Sequence, residues 1–454
     1  MNTPQNNKEH SQFALLANRR FGPLFVTQFF GAFNDNLFKN ALVVLLAFQA
    51  GKWTTLPAEL LTNVAAGLFM LPFFLFSATA GQLADKLDKA RLARYTKLLE
   101  IVIVLLACAG FALESLPFLL VVLFLMGLQS TLFGPVKYAI LPQHLRPDEL
   151  VGGNALVEAG TYVAILLGTL SGGVLAGIPD SGTVWISAVA LAVAVTGYLA
   201  SRGIPAAPAP EPELEVNANI LTETWRCICF ARENRSVFLS ILGISWFWLY
   251  GSVFLAQFPV YTKVVLGGDT GMVTLLLAVF SIGIGGGSLL CEKLSRHKLE
   301  LGLVPFGALG MTLFGFDLAS VTPAHAAGLT APLPLMTLLN APAIWRVLVD
   351  LALLGVCGGV YCVPLYALVQ QRSNPNFRAR VIAANNILNA LFMVAGAIFA
   401  AFLLTTDGGN IPLLFMLVAI ANALVAIYIF TLVPEFLLRA LVKLGLRAEQ
   451  PPAP

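Results

Sequence analysis

Gly31-Ala32-Phe33-Asn34-Asp35-Asn36-Leu37-Phe38-Lys39-Asn40 is a polar insert in an otherwise apolar run over residues 21–48. About 20 apolar residues suffice to cross a bilayer as a helix, so the run is long enough to span. An ionised side chain in the middle of such a span costs roughly a few kcal/mol and is kept where it faces protein, water or a ligand. The insert therefore marks a candidate functional site inside a membrane helix. Asp35 and Lys39 stand four apart on one helical face, with the acid on the N-terminal side that favours pairing. A purely structural ion pair that docks this helix on its neighbours is the alternative.

Working outward, the composition agrees with a membrane setting. Of 454 residues, 58% are hydrophobic and only 11% charged, against roughly 25% charged in soluble domains; the mean hydropathy is +0.82. The first twenty residues are polar, with Lys8, Arg19 and Arg20, and lack the apolar stretch and small-residue cleavage site of a signal peptide. The first span is expected to be retained. Windows of about 20 apolar residues predict spans near 22–49, 57–84, 95–113, 117–141, 151–176 and 183–203. A second set falls near 237–263, 270–293, 299–320, 344–371, 379–405 and 411–437. Between the sets, residues 205–215 read PAAPAPEPELE, a proline-rich and acidic composition that cannot pack a core and marks a linker. Residues 220–235, with Trp225, Ile228 and Phe230 among Arg226, Arg232 and Arg235, suit a short helix on the membrane surface.

Lysine and arginine collect on one side. Loops after even-numbered spans carry Lys86, Lys89, Arg91 and Arg94, then Arg146, then Arg226, Arg232 and Arg235, then Arg296 and Lys298, and finally Arg372, Arg378 and Arg380. The opposite loops hold little beyond Lys52 and Lys263. The positive-inside rule then puts both termini in the cytoplasm, with Arg439, Lys443 and Arg447 near the C-terminus. The net charge of +3 follows from this distribution and gives no sign of nucleic-acid binding. The two sets also repeat: Leu83-Ala84-Asp85-Lys86-Leu87 recurs as Leu290-Cys291-Glu292-Lys293-Leu294. Likewise Gly127, Tyr138-Ala139 and Gln143 recur as Gly355, Tyr366-Ala367 and Gln371. Repeated halves with a site at their interface are a logic of secondary transporters.

Gly81-Gln82-Leu83-Ala84-Asp85-Lys86-Leu87-Asp88-Lys89-Ala90-Arg91 resembles the signature that major facilitator superfamily transporters carry between their second and third helices, with Asp88 where a glycine is usual. Within that superfamily, residues 30–40 (FGAFNDNLFKN) and 133–138 (FGPVKY) resemble the bacterial lysophospholipid transporter family. The resemblance implies an all-α fold of twelve transmembrane helices in two six-helix halves. It also implies movement of lysophospholipids across the inner membrane, for re-acylation by a separate acyltransferase on the cytoplasmic side. No cofactor or metal is implied, and a monomer is expected. The corresponding division is a tail 1–20, a bundle 21–203, a linker 204–236, a second bundle 237–438 and a tail 439–454.

A lysophospholipid brings a phosphate and often an ammonium into a low-dielectric site, which calls for fixed charge of both signs. Asn34, Asp35, Lys39, Lys137 and Glu158 are the candidates, with Asp35 and Glu158 for the ammonium and Lys137 for the phosphate. Gly134-Pro135 would loosen span four beside Lys137, although Lys137 is also near enough to a helix end to snorkel. Lys97 and Glu100, three apart, read as a structural pair. Asp85, Lys89 and Arg91 read as gating or docking residues, and Arg346 and Asp350 as a candidate outer closure. Asn385, Asn386 and Asn389 read as bonds between helices. Span seven offers Trp246, Phe247, Trp248, Tyr250, Phe254 and Phe258, of which Trp246, Trp248, Phe254 and Phe258 are the candidate acyl-chain surface.

Other classes lack their chemistry in the sequence. No G-x-x-x-x-G-K-[ST] loop for nucleotide phosphates occurs. His10, His144, His297 and His325 fall in tails or loops, which gives no histidine relay. The six cysteines lack metal spacing. His144 and Asp148 are one residue too close for the H-x-x-x-x-D acyltransferase motif. A proton-coupled exporter of amphiphilic drugs is the second transport reading, and a lipid-modifying enzyme the reading from another class.

Overall fold

A computed structural model describes residues 11–446 except 50, 52, 297, 322–331 and 407. Lys8, His10, Lys52, His297, His325 and Arg447 lie outside the described residues. Twelve long helices dominate what is described: α1 Gly22–Gln49, α2 Ala58–Lys86, α3 Lys89–Ala112, α4 Leu116–Ala139, α5 Leu150–Ala176, α6 Gly182–Ser201, α7 Arg235–Tyr261, α8 Thr270–Ser295, α9 Leu303–Ser320, α10 Pro342–Arg372, α11 Arg378–Thr405 and α12 Ile411–Leu432. Eleven of them are long and apolar enough to cross a membrane. The exception is α1, whose 28 residues reach far enough but are diluted by Asn34, Asp35, Asn36, Lys39 and Asn40. Among the described residues there is no strand, only an isolated bridge between Gly268 and Leu333.

Local sequence sets where the helices begin. Asp88 accepts from the Arg91 N–H at 2.9 Å, so α3 starts at Lys89, six residues before the apolar window suggested. The same residue explains the departure from glycine in the loop signature. With φ −59 the turn needs no left-handed residue, and its second carboxylate oxygen holds the Ala207 N–H at 2.9 Å. At the far end of the chain, the predicted span 411–437 merges two elements. The membrane helix α12 stops at Leu432, and Pro434 opens a separate helix, Glu435–Lys443, which docks through Phe436 and Ala440. Proline before Glu435 is a helix-start signal that a hydropathy window averages away.

The first six helices pack mainly on one another: α1 against α5 and α6, α2 against α4, α3 between α4 and α6. The last six do likewise, with α10 between α8 and α9, and α7 against α10, α11 and α12. The two sets meet through α2 with α11 and α5 with α8, supplemented by α4 with α11 and α5 with α10. The sequence repeat appears in this packing. A Cβ on Gly127 would collide with the Phe69 carbonyl of α2, and one on Gly355 would come within 2.8 Å of the Phe280 carbonyl of α8. Both glycines thus let a helix pair approach backbone to backbone, as small residues do in membranes. The repeated tyrosines, Tyr138 and Tyr366, stack on each other with ring centroids 4.5 Å apart. Asp85 and its counterpart Glu292 lie against the starts of α11 and α5.

Candidate functional site: a charged cavity between the two sets of helices

A cavity of about 290 Å³ lies between the two sets, lined from α1, α2, α3, α4, α5, α7, α10 and α11. Helical spacing explains who lines it. On α1, Gln28, Gly31, Asp35 and Lys39 follow at three, four and four residues, and on α4 Ser130, Phe133, Gly134 and Lys137 share a face in the same way. The first set therefore supplies one carboxylate, Asp35, and three ammonium groups, Lys39, Lys97 and Lys137. The walls beside them are apolar, made of Phe69, Met70 and Phe73 of α2, Trp248 and Leu255 of α7, and Ala390 and Met393 of α11.

Asp35 and Lys39 do not form the expected ion pair. Asp35 turns toward α4, where Ser130 donates to its Oδ2 at 2.8 Å and its Oδ1 is buried without a partner. Lys39 instead donates to Asn36 at 3.0 Å and lies 5.3 Å from the Phe69 ring centre. Asn34 points away from the cavity: fully buried, it donates to Glu100 at 2.9 Å. Glu100 also takes Lys97 at 2.6 Å and Gln129 at 3.2 Å. The Lys97–Glu100 pair is thus present as the spacing suggested, yet Lys97 also lines the cavity. Three donors on one buried carboxylate meet the requirement that a buried charge be paired and hydrogen-bonded.

Lys137 does not snorkel. It stands on the cavity wall, 3.3 Å from the Thr161 hydroxyl and 4.7 Å from the Tyr138 ring centre. Glu158 is not a lining residue: 1% exposed, it accepts from the Tyr138 hydroxyl behind the wall. Most of the aromatic surface assigned to span seven is also displaced. Trp246 bonds Asn422 of α12 at 2.9 Å, Phe254 stacks between Tyr250 and Phe415, and Phe258 meets Phe280 edge-on. These are core residues of the second set. Of the four candidates only Trp248 lines the cavity, donating to Tyr366 at 3.1 Å, with Leu255 one heptad on. Ser130, Gln129, Gln28 and Thr161 were not singled out from sequence, although Ser130 stands seven residues before Lys137 and so shares its face.

At the end of the bundle that carries the linker, the two sets are closely tied. Asp85 accepts from the Ala379 and Arg380 N–H groups at 3.1 and 3.2 Å and from Arg380 Nε at 3.1 Å, a carboxylate seated on the N-terminus of α11. Arg380 also reaches Glu211 of the linker, whose N–H donates to the Asp85 carbonyl at 3.0 Å. Asn154 and Gln370 exchange amide hydrogen bonds at 2.7 and 2.8 Å. Lys89 is buried beside this group, while the exposed Arg91 contributes only its backbone N–H to the α3 cap. Arg346 does not pair with Asp350, one turn away. It holds Asp317 of α9 in a two-pronged ion pair, Arg346 Nε standing 3.0 Å from Asp317 Oδ2. Arg346, Asp350 and Asp317 all belong to the last six helices, so this cluster does not bridge the two sets.

Comparison with known proteins places this architecture. The Major Facilitator Superfamily profile matches residues 24–339. The lysophospholipid transporter LplT of Citrobacter koseri is 32% identical over 365 residues, 79% of this chain and 82% of its own. That of Escherichia fergusonii is 31% identical over 368 residues, 80% of this chain and 83% of its own. Among solved structures, the human organic anion transporter MFSD10 superposes with a TM-score of 0.72 over 90% of this chain and 99% of its own, at 13% identity. At that identity the superposition speaks for the fold alone. The chain belongs to the Major Facilitator Superfamily, a family of transporters, and within it to the lysophospholipid transporter family.

Proposed function

We propose that this protein carries lysophospholipids from the outer to the cytoplasmic leaflet of a bacterial inner membrane by alternating access. The observation that supports it best is the make-up of the cavity. Charge of both signs stands on the α1, α3 and α4 side, and apolar wall stands on α2, α7 and α11. A polar head group with a single chain matches that division, because each buried methylene contributes roughly 0.8 kcal/mol while the head group keeps its charges paired. Asp35, with one carboxylate oxygen unpartnered, is positioned for an ammonium, and Lys39, Lys97 and Lys137 for a phosphate. The proposed halves are 21–203 and 237–438, joined by the linker 204–236.

The distribution of lysine and arginine supports cytoplasmic termini, which makes the Asp85–Arg380–Glu211 cluster a cytoplasmic gate. Delivery to the cytoplasmic leaflet suits a separate acyltransferase as the next step, with the transporter acting as a monomer. Thermal unfolding of purified protein tests the binding reading. A lysophospholipid at a hundred times its Kd contributes about 2.7 kcal/mol of stabilisation, and Asp35→Asn is expected to unfold at the wild-type temperature without ligand and to lose that stabilisation. Stabilisation by an amphiphilic cationic drug, with none by the lysolipid, would favour drug export.

A further inference from the structure

The charged groups on α1, α3 and α4 account for the phosphate and the ammonium of the substrate, which leaves the glycerol between head group and chain. On the opposite wall the cavity presents two neutral amides of α11, Asn386 and Asn389. Asn389 accepts from the Ser245 hydroxyl of α7 at 2.8 Å, and its Nδ2 has no acceptor among the described residues. Asn386 extends across to α4. Its Nδ2 lies 2.6 Å from where a Cβ on Gly134 would stand, between Ser130 and Lys137 along that helix. That Nδ2 is buried and has no hydrogen-bond partner. A buried N–H without an acceptor is unfavourable, and such groups in a binding site are commonly completed by the ligand.

We propose that Asn386, with Asn389 beside it, reads the glycerol hydroxyl that a lysophospholipid carries free and a two-chain phospholipid carries esterified. The assignment rests on the lysophospholipid reading and deepens it. An amide suits this task because its Nδ2 donates to the hydroxyl oxygen while its Oδ1 accepts the hydroxyl proton; an ester oxygen offers no proton in return. A site built to bond a substrate hydroxyl discriminates against the analogue that lacks it, because its own polar groups are then left unpaired. Gly134 is the positioning residue: the absence of a side chain there gives the Asn386 amide its place over α4.

The test compares two single-chain lipids with the same head group and chain in proteoliposomes, one with the free glycerol hydroxyl and one with hydrogen in its place. Wild-type protein is expected to move the hydroxyl-bearing lipid about tenfold faster. Asn386→Leu should move both at the slower rate, and Gly134→Ala should do the same without deleting any polar group, which keeps the test decisive where the leucine variant fails to fold. Equal rates in the wild type would overturn this inference and leave lysophospholipid transport standing. A preference retained in both variants would overturn the assignment to Asn386. Failure of the wild type to move either lipid would overturn the underlying reading as well.

Discussion

Phe254 and Trp248 stand six residues apart on one helix and do different work. Phe254 is fully buried among Tyr250 and Phe415, so Phe254→Ala removes core contacts and is expected to destabilise the protein by about 3–5 kcal/mol. Trp248 borders the cavity, so Trp248→Ala is expected to slow transport of long-chain lysolipids more than that of a short-chain analogue, with a smaller loss of stability. Thermal unfolding and paired transport rates check both, and the reverse pattern would return the acyl surface to Phe254. The sequence could not separate these residues. In a helix that is apolar on every face, an aromatic turned to the core and one turned to a cavity have the same neighbours in the chain. Asp35, Lys39 and Lys137 were legible for the opposite reason: an ionised group in an apolar run needs a special destination, even though the partners of Asp35 and Lys137, Ser130 and Thr161, come from other helices, while Lys39 bonds Asn36 of its own helix.

At the scale of elements, the same contrast separates Asp85 from its partners. The loop signature pointed to Asp85, but Arg380 and Glu211 lie 295 and 126 positions away and only folding brings them together. With three N–H donors from the start of α11 on one carboxylate, Asp85→Ala should weaken closure at the linker end. Labelling of single cysteines introduced at the opposite end is expected to fall about fivefold, the population change for roughly 1 kcal/mol; unchanged labelling would remove Asp85 from the gate. The C-terminal helix offers a pH test. The hydrogen bonds from Arg372 hold the Glu435 carboxyl below its usual 4.5, burial opposing them, with the charge of Arg439 adding to the effect. Because the folded carboxyl is the stronger acid, its contribution is complete above pH 4.5 and is lost as pH falls through the folded value. Protection of the Glu435–Lys443 amides, taken relative to their intrinsic exchange rate at each pH, should therefore fall below about pH 4.5. Glu435→Gln should already show the reduced protection at pH 7 and no such step.

For the whole molecule, the helical class and the repeat were readable because periodicity and charge bias extend over the entire chain. The repeat further marked where helices touch, since Gly127 with Gly355 and Tyr138 with Tyr366 hold matching places in the packing. The closing of α12 at Leu432 was not readable from hydropathy, because Phe436, Leu437 and Leu438 continue the apolar run beyond the turn at Pro434. What the assembled molecule adds is a cavity between the two sets whose charges all stand on α1, α3 and α4 and whose apolar wall is shared by α2 of the first set with α7 and α11 of the second, the arrangement on which lysophospholipid transport rests. Its most direct test is the flipping of a labelled lysophospholipid in proteoliposomes, beside a two-chain phospholipid of the same head group. Protein-dependent movement of the single-chain lipid, with the two-chain lipid remaining at the protein-free rate, is the expected result; equal movement of both, or of neither, would contradict it.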